Sequence, residues 1–211
     1  MNISPARESI LKKIRKALTQ STPLPFPQSE GNSSVYQPSR QELEVEFAEQ
    51  FSKLTGKFIF CLTWQELAIQ LNAVIAHNNW QHIYNQETEL SAILASNGFA
   101  PAAYDSVATC DAAVTSCESL IARTGSIVMS AAGPSGRSVS VYAPVHICIA
   151  RTNQLVYDVK DGIQLVKEKY GAAFPSLVTF ATGPSRTADI EKTLVVGVHG
   201  PKEVYVFLVD Q

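Results

Sequence analysis

Lys57-Phe58-Ile59-Phe60-Cys61-Leu62-Thr63-Trp64-Gln65-Glu66 decides the fold class. Its first six residues are apolar and β-prone apart from the lysine, which reads as a short buried strand. Thr63-Trp64-Gln65-Glu66 follows with the spacing of a capping box. The Thr63 hydroxyl can accept from the backbone N–H three residues on, and Glu66 can reach back. A helix over 64–77 is the consequence. A strand that runs straight into a capped helix is half of a βαβ unit. The unit repeats: Gln81–Tyr84 reads as a second strand, 87–96 as a second helix ended by Asn97-Gly98, and Ala112–Thr115 as a third strand. Upstream, Leu43, Phe47, Phe51 and Leu54 fall at helical spacing over 42–54. Alternation of this kind predicts a three-layer α/β domain with a mostly parallel sheet.

The second half reads differently. Ser126–Ser130, Ser138–Tyr142 and Val145–Ala150 are predicted strands, the first two joined by the glycine-containing loop 131–137. A helix at 159–170, a strand at Leu177–Thr182 and a short helix at 187–196 follow. Glu203–Val209 is nearly all apolar, as expected of a strand buried on both faces. Before residue 41, residues 7–18 carry Ile10, Leu11, Ile14 and Leu18 on one helical stripe, and 19–40 are rich in Pro, Ser and Gln. The chain therefore divides into an N-terminal helix and linker (1–40) and one α/β domain (41–211).

Composition excludes several classes. The chain has 211 residues, 45% of them hydrophobic, which rules out wholesale disorder. A net charge of −2 gives no basic field to gather nucleic acid. No apolar stretch reaches membrane-spanning length, and the first residues lack the apolar core of a secretory signal, so the expected location is cytoplasmic. Cys61, Cys110, Cys117 and Cys148 contain no Cys-x-x-Cys pair, so neither disulfides nor a metal or cluster site is expected on this chain. Cys148, in an alternating apolar run, reads as a small core residue. P-loop, dinucleotide, nucleophile-elbow and zinc-protease motifs are absent from the sequence.

Three stretches could carry chemistry. Thr182-Gly183-Pro184-Ser185-Arg186-Thr187 sits between a predicted strand and a predicted helix, where free N–H groups and the Arg186 charge would suit a carboxylate or phosphate. A pairing of Arg186 with Asp189 or another carboxylate is the structural alternative. Thr124-Gly125-Ser126 is a small hydroxyl-bearing turn that lets a ligand approach the backbone. Arg137 closes the glycine-containing loop. Two histidines could move a proton near neutral pH: His146 in an apolar strand and His199 in a turn before the last strand. His77 and His82 read as surface residues.

The run from Thr182 to Leu194, continued through Gly197-Val198-His199-Gly200-Pro201-Lys202-Glu203 to Val209-Asp210, resembles the C-terminal signature of the LUD-domain family. Thr124-Gly125-Ser126, Gly136-Arg137 and Pro144-Val145-His146-Ile147 match the same family in order, so the resemblance covers roughly 105–210. Where many members carry Glu before Thr-Gly, this chain has Arg123. The resemblance implies a fold similar to that of sugar-phosphate isomerases, coenzyme A transferases and 5-formyltetrahydrofolate cyclo-ligase. It implies participation in oxidation of L-lactate to pyruvate beside iron–sulfur partner proteins of lactate utilization, which hold the clusters, with no cofactor on this chain. It places a pocket for a small anion at Thr124, Gly125, Ser126, Arg137, His146, Thr182, Gly183, Ser185, Arg186, Thr187 and His199. Two other functions stay open. One is a free-standing isomerase, transferase or cyclo-ligase acting on a phosphate, coenzyme A or folate-like anion, for which Glu118 is the nearby glutamate. The other is a non-catalytic anion-binding partner protein.

Overall fold

The computed structural model describes residues 5–19, 41–190 and 193–211. The chain divides into two units, Met1–Pro38 and Ser39–Gln211. Of the first unit, helix α1 (Pro5–Leu18) is described, with Ile10 and Ile14 exposed on its surface. The expected linker over 19–40 lies, but for Thr19, outside the described residues. Among the described residues, no helix is long and apolar enough to cross a membrane.

The second unit begins with α2 (Leu43–Lys53), β1 (Lys57–Cys61), α3 (Trp64–Asn78), β2 (Ile83–Tyr84), α4 (Thr88–Ser96) and β3 (Ala112–Thr115). It continues through β4 (Ser119–Ile121), β5 (Ser126–Ser130), α5 (Val139–Tyr142), β6 (Val145–Arg151), β7 (Leu155–Val156) and α6 (Val159–Tyr170). It ends with β8 (Val178–Ala181), β9 (Arg186–Ile190), β10 (Thr193–Val196) and β11 (Glu203–Val209). Five strands form a parallel sheet in the order β1-β11-β6-β3-β2. Half of the expected capping box forms: Glu66 N–H donates to Thr63 Oγ1 at 3.1 Å, while Glu66 Oε2 accepts from Leu62 N–H, one residue before the N-cap, at 2.8 Å.

Period-two alternation in β11 explains how the core is partitioned. Tyr205, Phe207 and Val209 face the layer of α3 and α4, where Leu67, Leu71, Leu90 and Leu94 cover them. Val204, Val206 and Leu208 face the opposite way, onto Phe47 and Phe51 of α2 and onto Leu120, Ile127 and Met129. Each such side chain contributes about 1.5–3 kcal/mol on burial. Leu120, Ile127 and Met129 belong to a second sheet, β7-β4-β5-β8, whose outer face α6 covers through Val166 against Ile121 and Val128. The α/β class and the mostly parallel central sheet are those the sequence predicts.

Three readings are corrected. The described residues of 187–196 are not a helix. They belong to the antiparallel strands β9 and β10, with Thr187 opposite Val195 and Arg186 opposite Val196. Asp189, Glu191 and Lys192 look helical in sequence, but the β-branched run Thr193, Val195, Val196 favours pairing. Ser138–Tyr142 is not a strand: α5 is a single helical turn, and Val139 and Ala143, four residues apart, bury one face against Ala113 of β3. Finally, β1 is only partly buried: it lies at the edge of the central sheet, with Cys61 buried but Phe60 42% exposed.

Candidate functional site

In the central sheet, α4 reaches β3 on one face, and the chain leaving β3 enters the second sheet on the other. A crevice opens outside the carboxyl ends of parallel strands where connections change face in this way. Here it is a cleft of ≈ 450 Å³. Trp64 comes to it from the end of β1, Arg151 and Gln154 from the end of β6, Ser116 and Cys117 from the end of β3, and Glu87 from just beyond β2. Leu90 and Ile93 of α4 form an apolar wall, and Lys169 of α6 stands opposite.

Two buried carboxylates organise its polar end. Glu87 is 4% exposed. Its Oε1 accepts from Ser116 N–H at 2.9 Å and from the Ser135 hydroxyl, and its Oε2 accepts from Ser116 Oγ at 2.5 Å. Among the described residues it makes no ion pair. Glu118 accepts from Ser130 Oγ at 2.5 Å, Tyr170 OH at 2.7 Å and Lys169 Nζ at 2.8 Å. Burial alone would raise its pKa. The bonds from Lys169, Ser130 and Tyr170, with the Lys169 charge, outweigh burial and hold it below the ordinary 4.5. The loop 131–137 forms the lip: Ser135 reaches Glu87, and Gln86 Nε2 donates to Pro134 C=O at 2.8 Å.

The far end is aromatic and cationic. The Arg151 guanidinium lies 5.6 Å from the centre of the Trp64 ring. Arg151 makes no ion pair among the described residues. Gln154 fixes the turn beside it, accepting from Arg151 N–H at 2.9 Å and donating to Cys117 C=O at 2.7 Å.

The residues expected in a pocket are brought together only in part. Thr124, Ser126 and Thr182 meet through their hydroxyls, Thr124–Ser126 at 2.7 Å and Ser126–Thr182 at 2.9 Å. Gly125 and Gly183 pack against the end of α2. Both hold positive φ, and a Cβ on Gly125 would stand 2.6 Å from Phe51 N. Arg186 donates to the Leu54 carbonyl and to Thr55 Oγ1, so its charge serves the carboxyl end of α2. The helix start predicted after 182–187 is absent: Arg186 and Thr187 lie in strand β9, and Ser185 N–H donates to Pro201 C=O. Arg137 bonds Ser176 at the surface. His199 is exposed in a shallow cleft with Tyr142 and Lys202, by Pro144 at the amino end of β6. His146 lies in the core, its Nε2 2.8 Å from Thr115 Oγ1, with burial pushing its pKa down to about 4. Arg123 pairs with Asp158 at 2.9 Å.

Sequence reasoning missed Glu87, Ser116, Ser130, Ser135, Arg151 and Lys169. They come from separate segments and form no spaced motif. The available signal was positional, since several follow directly on a parallel strand.

A LUD domain matches residues 44–209, nearly the whole of the second unit. The chain belongs to the LUD domain family. Within that family, a lactate utilization protein C from Bacillus licheniformis is 38% identical over 101 residues, 46% of this chain and 42% of that protein. One from Deinococcus radiodurans is 36% identical over 100 residues, 47% and 46% of the two chains. One from Bacillus subtilis is 35% identical over 101 residues, covering 46% and 42%. The match thus spans less than half the length of these relatives. The crystal structure of a DUF162 family protein from Deinococcus radiodurans superposes with a TM-score of 0.62 over 82% of this chain and 99% of that one. At 21% identity, that likeness shows a shared fold.

Proposed function

We propose that the chain takes part in lactate utilization, in the oxidation of L-lactate to pyruvate. The observation that carries this reading is its identity, between 35% and 38% over about a hundred residues, to several proteins named lactate utilization protein C. L-Lactate gives up two electrons and two protons to become pyruvate. In this reading the electrons pass to iron–sulfur centres on partner proteins, and this chain is the cluster-free subunit. Four buried cysteines in no ligand spacing accord with that division of labour. The chain's own part is to hold a small anion. Arg151 and Lys169 at the carboxyl-edge cleft supply the positive charge.

Deletion of the gene from its host tests this directly. Growth on L-lactate should be lost and growth on pyruvate kept, and the full chain should restore growth on L-lactate. Undiminished growth of the deletion strain on L-lactate would contradict the assignment.

A further inference from the structure

The carboxyl-edge cleft offers more than a three-carbon acid can use. Its ≈ 450 Å³ falls within the range of pockets that hold drug-sized ligands, roughly 300–1,000 Å³. Its floor runs from the end of β1 to the end of β3, three strand spacings of about 4.8 Å or roughly 15 Å. Each part has a different chemistry. At one end Arg151 lies over the Trp64 ring and is without a carboxylate partner among the described residues. A guanidinium beside an indole presents planar surfaces that suit another planar ring. At the other end Glu87 is buried, and its Oε2 accepts one hydrogen bond against two at Oε1. An ionised carboxyl has about four acceptor positions, so Oε2 can take a further hydroxyl donor. Lys169, more than half exposed and bonded to Glu118 at 2.8 Å, adds a cation beside the Glu87 end.

We propose that this cleft binds a nucleoside phosphate, with the base against the Trp64–Arg151 pair, a ribose hydroxyl donating to Glu87, and the phosphate facing Lys169. A planar ring, a polyol and an anion are the three groups these surfaces complement, and a nucleotide carries all three within the length of the floor. A sugar phosphate would leave the Trp64–Arg151 platform unused. Inorganic phosphate or lactate would fill one corner. The inference does not rest on the lactate reading.

The test uses calorimetric titration of the wild-type full chain with AMP, GMP, CMP and UMP to 5 mM. Ribose 5-phosphate, inorganic phosphate and L-lactate run beside them. At least one nucleotide should saturate with a dissociation constant below 1 mM and bind at least tenfold more tightly than ribose 5-phosphate. Arg151→Gln should weaken it tenfold or more, and Glu87→Gln severalfold. In a Trp80→Phe variant Trp64 is the remaining tryptophan, and the nucleotide should quench its emission along the same binding curve. The proposal is overturned if no nucleotide saturates the wild type. It is equally overturned if ribose 5-phosphate or phosphate binds as tightly, or if Arg151→Gln and Trp64→Phe, both folded by circular dichroism, bind unchanged. L-Lactate binding without nucleotide binding would overturn this inference and leave the lactate reading standing. Nucleotide binding in a chain whose deletion spares growth on L-lactate would do the reverse.

Discussion

Replacing Glu118 by glutamine keeps the shape of a buried group and removes its charge. In the wild type the carboxylate accepts from Ser130 Oγ, Tyr170 OH and Lys169 Nζ at 2.5, 2.7 and 2.8 Å. A hydrogen bond to a charged group is worth about 1.5–3 kcal/mol net, against about 0.5–1.5 for a neutral one, so the two hydroxyl bonds together lose about 2 kcal/mol. The Lys169 side chain is 59% exposed, so solvent screens that pair, which adds less than about 1 kcal/mol. Relief from desolvating a buried carboxylate returns part of the loss. The expected net cost is about 1–2 kcal/mol at pH 7, read from urea unfolding. Its pH dependence is the sharper check. The folded carboxyl titrates below its ordinary 4.5, so its contribution is fully present above pH 4.5 and fades as pH falls through the lower folded value. The difference between wild type and Glu118→Gln should therefore shrink as pH is lowered from 4.5 toward 3. A variant as stable as wild type at pH 7, or a cost constant down to pH 3, refutes the reasoning. The same variant separates two functions. Growth on L-lactate should survive Glu118→Gln, whereas an acyl-transfer enzyme that used this glutamate as nucleophile would lose its activity.

Three further outcomes are expected. Gly125→Ala forces a side chain into positive φ and against the Phe51 backbone, and should cost about 3 kcal/mol in urea unfolding. Arg186→Ala removes donors from the Leu54 carbonyl and Thr55, and as an exposed residue should cost only about 1 kcal/mol, seen as a small fall in Tm. His146 is buried with its pKa pushed from 6.5 to about 4, so the unfolded chain takes up a proton that the folded one refuses. Stability from this source is full above pH 6.5 and declines by up to about 3 kcal/mol as pH falls to 4. His146→Leu should lack that decline, and a stability profile parallel to wild type across this range would show the ring to be accessible.

Much of the fold is legible because local signals and tertiary needs agree. Thr63 and Glu66 fix the start of α3, and β11 is apolar at the successive positions a doubly covered strand requires. β4 and β7 were missed because three and two residues carry no readable periodicity. The strand pair β9–β10 was misread because acidic residues after Ser185 and Thr187 imitate a helix start, and pairing is settled by a partner strand that local sequence does not display. The Thr124–Ser126–Thr182 contact was legible as two separate turns. The carboxyl-edge cleft was not, since the topology alone brings Trp64, Glu87, Ser116, Arg151 and Lys169 together from five segments. Chain order hides that neighbourhood.

The proposed role makes this chain a required part of an L-lactate oxidising system. Its most direct test is anaerobic addition of L-lactate to the iron–sulfur partner proteins with and without the purified chain, following cluster reduction and pyruvate together. Cluster reduction matched by pyruvate is expected only when the chain is present. Partner proteins that reduce their clusters and form pyruvate equally well without it would contradict the proposed role.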